Sequence, residues 1–397
     1  MKIERDEIKS SLEFMRDCFK KWYKKHPAEL PDRFGRREFA FILFGGKGML
    51  RHISFARREY FNDFLIDKAP AHVYYSTAYY RKPDAPTMAE KKWMGAELIF
   101  DLDADHLPNA EELPYEKQLE IVKKEFIKLV EDFLMKDFGF NEDQLELYFS
   151  GSRGYHCHVK DPRVFTLDSS ERREIVDYIT GRDLKETLVF QEEITSSRRY
   201  GNRNLPSGKT LRIPSPDEPG WRGRISRGLL EIIDEILSTD NPIEKLHEYG
   251  VSRKTAEKLL NDLSEERIKR IKQGNLDQSK TIRRFFLNNV LRKTAVSFAA
   301  GETDEPVTCD VKRLIRLPYS LHGKTGFQVT RIKLDELKTF NPLVDPVVLP
   351  EDRIRIDIHK PFKIKIRGED FNLKEGREEI PIYLAYFLMG RRIATIS

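Results

Sequence analysis

The chain has 397 residues, enough for two or three domains and a sizeable buried core. Its 70 Lys and Arg against 65 Asp and Glu leave a formal charge of +5, which excludes an acidic solvating protein and a polybasic tail-type binder. At 39% hydrophobic residues it is not disordered by composition, and 34% charged residues against a usual ~25% give an unusually ionic surface. Cys18, Cys157 and Cys309 stand far apart with no CxxC, which excludes a cysteine-rich zinc ribbon or a disulfide framework. The N-terminal MKIERDEIKSSLEF has acidic residues where a signal peptide needs an apolar run. The late apolar stretch Ile380–Met389 is half the ~20 residues of a spanning helix and contains Pro381. A soluble cytoplasmic protein with no membrane partner is expected.

Ile8, Leu12, Met15, Phe19 and Trp22 recur at helical spacing, so residues 4–25 predict an amphipathic helix ended by Pro27 and Pro31. From Arg37 the pattern turns to short β-like runs, EFAFILF, MLRHISF, AHVYYSTAYY and AELIFDLD, with Gly45, Gly46 and Gly48 marking a turn. Residues 115–137 return to helical period. The strand LELYFSG, a tight turn at Ser152-Arg153-Gly154 and the strand YHCHVK follow. Residues 170–185 predict a helix, 196–227 are rich in Arg, Pro and Gly, and 228–297 are mostly helical and polar. Strand-like segments resume in VTCDVKRLIRLP, FQVTRI and DRIRIDIHKPFKIKI. The pattern is one α/β unit in two parts, 1–165 and 298–397, flanking a largely helical insertion at 166–297.

Three constellations carry chemistry. In Phe100-Asp101-Leu102-Asp103 the strand alternation puts Asp101 and Asp103 on one face, about 7 Å apart. Two such carboxylates repel unless a cation sits between them, and Mg²⁺ or Mn²⁺ prefers oxygen ligands. A polar strand end with solvated aspartates is the alternative. Second, Ser150-Gly151-Ser152-Arg153-Gly154-Tyr155-His156-Cys157-His158 offers backbone N–H groups and an Arg to phosphate oxygens, or else a plain surface hairpin. Third, Arg316-Leu317-Pro318-Tyr319-Ser320-Leu321-His322-Gly323-Lys324-Thr325-Gly326 is a basic loop whose glycines should expose His322 and Lys324 to a triphosphate. The Arg-rich run 196–227 reads equally as a segment tracking a nucleic-acid backbone or as a solvated loop.

FDLDAD, SGSRGYHCHV and DEPVT…RLIRLPYSLHGKTG, in that order, resemble the small catalytic subunit of archaeal and eukaryotic DNA primase, the archaeal branch more closely. Arg37-Glu38-Phe39-Ala40-Phe41, Leu50-Arg51…Ser54-Phe55, Ala78-Tyr79-Tyr80-Arg81 and IPIYLAYFLMGRR extend the resemblance over nearly the whole chain outside the insertion. It implies a primase-type α/β (α+β) core of mixed β-sheets flanked by helices. It implies short-primer synthesis on a single-stranded DNA template from nucleoside triphosphates, with a large, iron–sulfur-containing regulatory subunit as partner in a nucleoid-associated heterodimer.

In that family three aspartates hold two divalent ions, Mg²⁺ or Mn²⁺. Asp101 and Asp103 match the first two. For the third, Asp304 followed by Val307-Thr308 fits the family pattern better than Asp310. Ser150, Arg153 and His156 would line the nucleotide pocket, Arg316, His322 and Lys324 would meet the triphosphate, and Arg51 would lie close by. Relatives usually carry a zinc knuckle after the DxD. Residues 104–147 hold His106 and no cysteine, so no structural zinc is expected. Two rival readings remain: a DxD phosphohydrolase of haloacid dehalogenase type, against which Asp105 counts, and a non-catalytic nucleic-acid-binding subunit.

Overall fold

The computed structural model describes residues 5–104, 112–185, 189–201, 203–276, 285, 289 and 307–397. These fall into two compact units. Met1–Val130, Phe140–Val176 and Phe298–Ser397 form one, and Glu131–Gly139 with Asp177–Ser297 the other.

In the first unit the amphipathic N-terminal pattern becomes the helix Arg5–Lys25. Its apolar stripe buries Met15, Phe19 and Tyr23, and Phe19 stacks on Tyr386 at 5.2 Å between ring centroids. Two four-stranded sheets carry the candidate residues. One runs in the order Leu314–Arg316, His72–Ser76, Phe39–Ile42, Met49–Ile53. The other runs Thr330–Ile332, Leu145–Phe149, Gly154–Val159, Leu98–Asp103.

In the second sheet, period-2 alternation puts Leu98, Phe100, Leu102, Tyr155, Cys157, Leu147 and Phe149 on one face, all buried. The helix Tyr115–Lys128 covers that face, with Phe126 stacked on Tyr155 at 5.2 Å. Each such side chain contributes about 1.5–3 kcal/mol by burial, enough to lock the register, since a one-residue slip would turn the whole set outward.

The α/β fold class is as expected, but every described strand pairing is antiparallel, not mixed. The helix Tyr115–Lys128 connects strands Leu98–Asp103 and Leu145–Phe149, which share a direction, yet Gly154–Val159 inserts between them and pairs with both. This is a split βαβ arrangement. Two further sequence readings change. Val307–Cys309 is a 3₁₀ turn, leaving only Leu314–Arg316 as strand in VTCDVKRLIRLP. Beyond Lys128 the helical period continues as a wider π-type segment, Leu129–Asp137.

The C-terminal helix Ile382–Gly390 buries Tyr383 to Met389 without a break, as a helix apolar all round must. The second unit has its own core, built on the helix Gly220–Ser238 through Trp221, Ile225, Leu229, Ile232, Ile233 and Ile236. No helix among the described residues is long and apolar enough to cross a membrane.

Candidate active site

The register of the second sheet sets Asp101 opposite His156 and Asp103 opposite Gly154. His156 Nε2 lies 3.2 Å from Asp101 Oδ1. Burial works against ionisation of Asp101, but the His156 ring, with Arg313 and Arg316, outweighs it and holds the carboxyl below its usual range. Asp103 is half-buried on the same face. Gly154 is needed at its position, because a Cβ there would meet Leu102 O at 2.7 Å and Asp103 Oδ2 at 2.9 Å. The pair offers oxygen donors on one face, a donor set that fits a hard divalent cation. No group of three or more His, Cys, Asp or Glu suited to a metal occurs among the described residues. Asp304, the expected third ligand, lies outside them, as does His106.

The turn after Phe149 closes on itself: the Ser150 N–H donates to Gly154 O at 2.9 Å, and the Gly154 N–H to Ser150 Oγ at 3.0 Å. The turn also meets the basic loop. Thr325 Oγ1 donates to Gly151 O at 2.5 Å, and a Cβ on Gly151 would touch His322 Cβ at 2.9 Å. The third and second constellations, joined here by residues 174 positions apart in sequence, are therefore one piece of structure. The C-terminal helix clamps the loop from behind, with Tyr386 Oη donating to Gly323 O at 3.1 Å.

That packing corrects one expectation. His322 is buried, at 3% exposure, and only Lys324 is exposed. Burial, then Arg316, His72, Lys324 and Arg391, hold the His322 ring neutral. Its Nδ1 accepts the Lys324 N–H at 3.3 Å, so the proton sits on Nε2.

Arg316 lies on the strand Leu314–Arg316 and donates from Nη1 to His72 Nδ1 at 2.8 Å. Its charge couples to Asp101 and Asp103. Arg153 is half-buried, 3.5 Å from Gln118 Oε1. Arg51 sits apart: it donates to buried Glu38 at 3.1 Å, and Glu38 is also paired with buried Lys91 at 2.7 Å. No hydrogen bond or ion pair among the described residues links Arg51 to Asp101, Arg316 or His322. His158, beside His156, is engaged with buried Glu97 at 3.2 Å. The turn Val307–Cys309 packs against the strand Leu98–Asp103, and Asp310 Oδ1 accepts the Lys312 N–H at 2.8 Å.

The sequence profile of the DNA primase small subunit matches residues 100–334, which takes in all three constellations. The chain belongs to the DNA primase small subunit family. Proteins named DNA primase small subunit PriS are similar over nearly full length. That of Methanosarcina mazei is 44% identical, covering 96% of this chain and 95% of the relative. That of Methanothrix thermoacetophila is 41% identical, covering 97% and 98%, and that of Picrophilus torridus 37%, covering 94% and 95%. The molecule is thus the catalytic subunit of a DNA primase, a DNA-directed nucleotidyltransferase of replication. The phosphohydrolase and non-catalytic readings are set aside. Primases of this family use divalent metal ions, act on DNA and nucleoside triphosphates, and work with a large subunit.

Two residues of this primase subunit escape sequence reading. His72 accepts from Arg316 and, at 3.3 Å, from the Gly323 N–H, bridging the Arg316 strand to the basic loop. Arg391 stands over Tyr115 and Phe387 at 4.2 and 4.3 Å, and its charge couples to Arg153 and His322. Only the GRR at the end of the apolar C-terminal run hinted at Arg391. Nothing local marks His72.

Proposed function

We propose that Asp101, Asp103 and Asp304 hold two Mg²⁺ or Mn²⁺ ions in a catalytic core made of residues 1–165 and 298–397, and that the core extends primers on single-stranded DNA as half of a nucleoid-associated heterodimer. The observation that carries this reading is the shared polar face of Asp101, Asp103 and His156, to whose carboxylates the charge of Arg316 is coupled. Such ions, when bound, would lower the pKa of the attacking 3′-hydroxyl and neutralise the departing pyrophosphate. His156 holds the Asp101 carboxylate in place from its buried position. Arg316, fixed by His72, presents a planar cation to the triphosphate, and His322 offers a neutral Nε2–H donor. Lys324, exposed on a long flexible stem, can follow the leaving group. Arg153 and the turn closed by Ser150 shape the nucleotide side of the pocket. Arg51, on the first sheet, acts at its edge. No structural zinc is assigned to the chain.

Single-nucleotide extension of a primed template tests the assignment. Asp101→Ala and Asp103→Ala should abolish extension while the thermal midpoint stays near that of the unaltered chain. Asp304→Asn should be inactive and Asp310→Asn nearly normal, since the Asp310 carboxylate caps its own turn. Extension within about tenfold of the parent in either DxD variant, 1.4 kcal/mol or less in barrier, would reject the metal site. The reverse result at 304 and 310 would reassign the third ligand.

A further inference from the structure

The Arg-rich run 196–227 is two things in the folded chain. Its helical part is occupied: Arg222 is paired with Glu218 at 2.6 Å and donates to Val189 O at 3.0 Å. Arg224 is buried over the Phe133 ring at 3.8 Å and paired with Asp137 at 2.8 Å. Arg227 donates to Pro216 O. These arginines hold the second unit together and are not offered to a ligand.

The other part forms a long hairpin of the strands Gln191–Tyr200 and Arg203–Arg212. Arg212, at its base, is paired with Glu193 at 2.9 Å. Toward the tip the charge is all of one sign. Residues 196–209 contain Arg198, Arg199, Arg203 and Lys209, with Tyr200 among them and no Asp or Glu. Arg198 and Arg199 are exposed and have no ion-pair partner among the described residues. The register sets Arg198 opposite Leu205 and Tyr200 opposite Arg203. A sequence that balances 70 cations with 65 anions, and pairs the arginines of the next helix internally, leaves Arg198 and Arg199 without a carboxylate partner among the described residues.

We propose that the hairpin tip, centred on Arg198 and Arg199, is a contact site for the phosphate backbone of the single-stranded template. The occupant follows from charge complementarity: the polyanion this enzyme must hold is its own template, and unpaired guanidiniums meet phosphate oxygens without a carboxylate to displace. The hairpin rests on the family assignment for its ligand and not on the metal or triphosphate residues, so it can fail without them.

The test is titration of a labelled oligothymidylate into the full chain over a range of salt, using Arg198→Ala/Arg199→Ala and the charge-preserving Arg198→Lys/Arg199→Lys. Each lost phosphate contact lowers the magnitude of the log Kd against log salt slope by about 0.7 for single strands. The double alanine variant should therefore lose about 1.4 in slope and bind more weakly at moderate salt, while the lysine variant keeps the parental slope. Both side chains are exposed, so the thermal midpoint of either variant should be unchanged. Extension of a primed template at saturating DNA should keep its kcat, which separates this site from the chemical centre. An unchanged slope and Kd in the alanine variant would overturn the proposal. So would normal template binding with loss of the large subunit from the complex, which would make the tip a protein-docking surface.

Discussion

The side chain of His72 illustrates how much one atom can organise. Its Nδ1 accepts from Arg316 at 2.8 Å and from the Gly323 N–H at 3.3 Å. A guanidinium can only donate, so Nδ1 carries no proton. Burial, with Arg316 and Lys324, agrees by pushing the His72 pKa down to about 3. Replacing His72 by Phe removes the acceptor and leaves a charged donor unmatched, a loss of about 1.5–3 kcal/mol. Extension kinetics should show kcat/KM for the nucleotide reduced roughly ten- to a hundredfold, chiefly through KM, with template affinity unchanged. His72→Gln keeps an acceptor and should recover part of the loss. Equal activity of the Phe variant and the parent would show that Arg316 needs no such anchor. His72 was not legible in the sequence because its partners are 244 and 251 positions away. Asp101 and Asp103 were legible because strand alternation is a local rule.

Among the elements, those defined by local period emerge as expected: the helix Arg5–Lys25 and the strands Leu98–Asp103, Leu145–Phe149 and Gly154–Val159. The hairpin Gln191–Arg212 is obscured because its Arg, Ser, Gly and Pro residues break the apolar–polar alternation of a strand, and pairing over ten residues on each strand sets its conformation instead. The basic loop departs from the expected exposure at His322 for a related reason. Glycines there permit close packing as readily as exposure, and a Cβ on Gly323 would meet Ala71 O at 2.7 Å. The same contact logic makes Gly154 a sensitive point. Gly154→Ala would drive a methyl into Leu102 O, a backbone atom that cannot swing away. The edge strand bearing both aspartates must shift. Overpacking of this kind costs about 1–3 kcal/mol, which denaturant unfolding should register as a lower midpoint. Extension should fall much further than stability, since the displaced strand carries Asp101 and Asp103. Full activity in a destabilised Gly154→Ala chain would mean that strand position tolerates the shift. A tight turn by itself would also predict a glycine here; only the approach of Asp103 makes it a matter of function.

At the scale of the molecule, the two compact units should differ in their sensitivity to mild acid. The first buries ionisable groups whose folded forms resist protonation. His72 is held at about 3 and His322 well below its ordinary 6.5, both chiefly by burial. Glu97 also lies below its usual range: burial opposes this, but Arg37 and His158 prevail. For each, the unfolded chain binds protons that the folded chain does not, so stability rises with pH across the window between the two pKa values. For His72 that window runs from about 6.5 down to about 3, at no more than ~1.4 kcal/mol per pH unit. Glu97 adds its loss only below about 4.5. The helix Gly220–Ser238 of the second unit buries a mainly aliphatic stripe, Ile225, Leu229, Ile232, Ile233 and Ile236. Side chains of that kind carry no proton to gain. Hydrogen exchange read by mass spectrometry should therefore lose protection first in the peptides spanning 72–76 and 314–329 as the pH falls from 7 to 5, with 220–238 following later. His72→Phe should shallow the loss in the first set by removing one titrating group, even though it weakens nucleotide binding. Simultaneous loss in both sets, or earlier loss at 220–238, would show that the buried histidines do not govern the acid response.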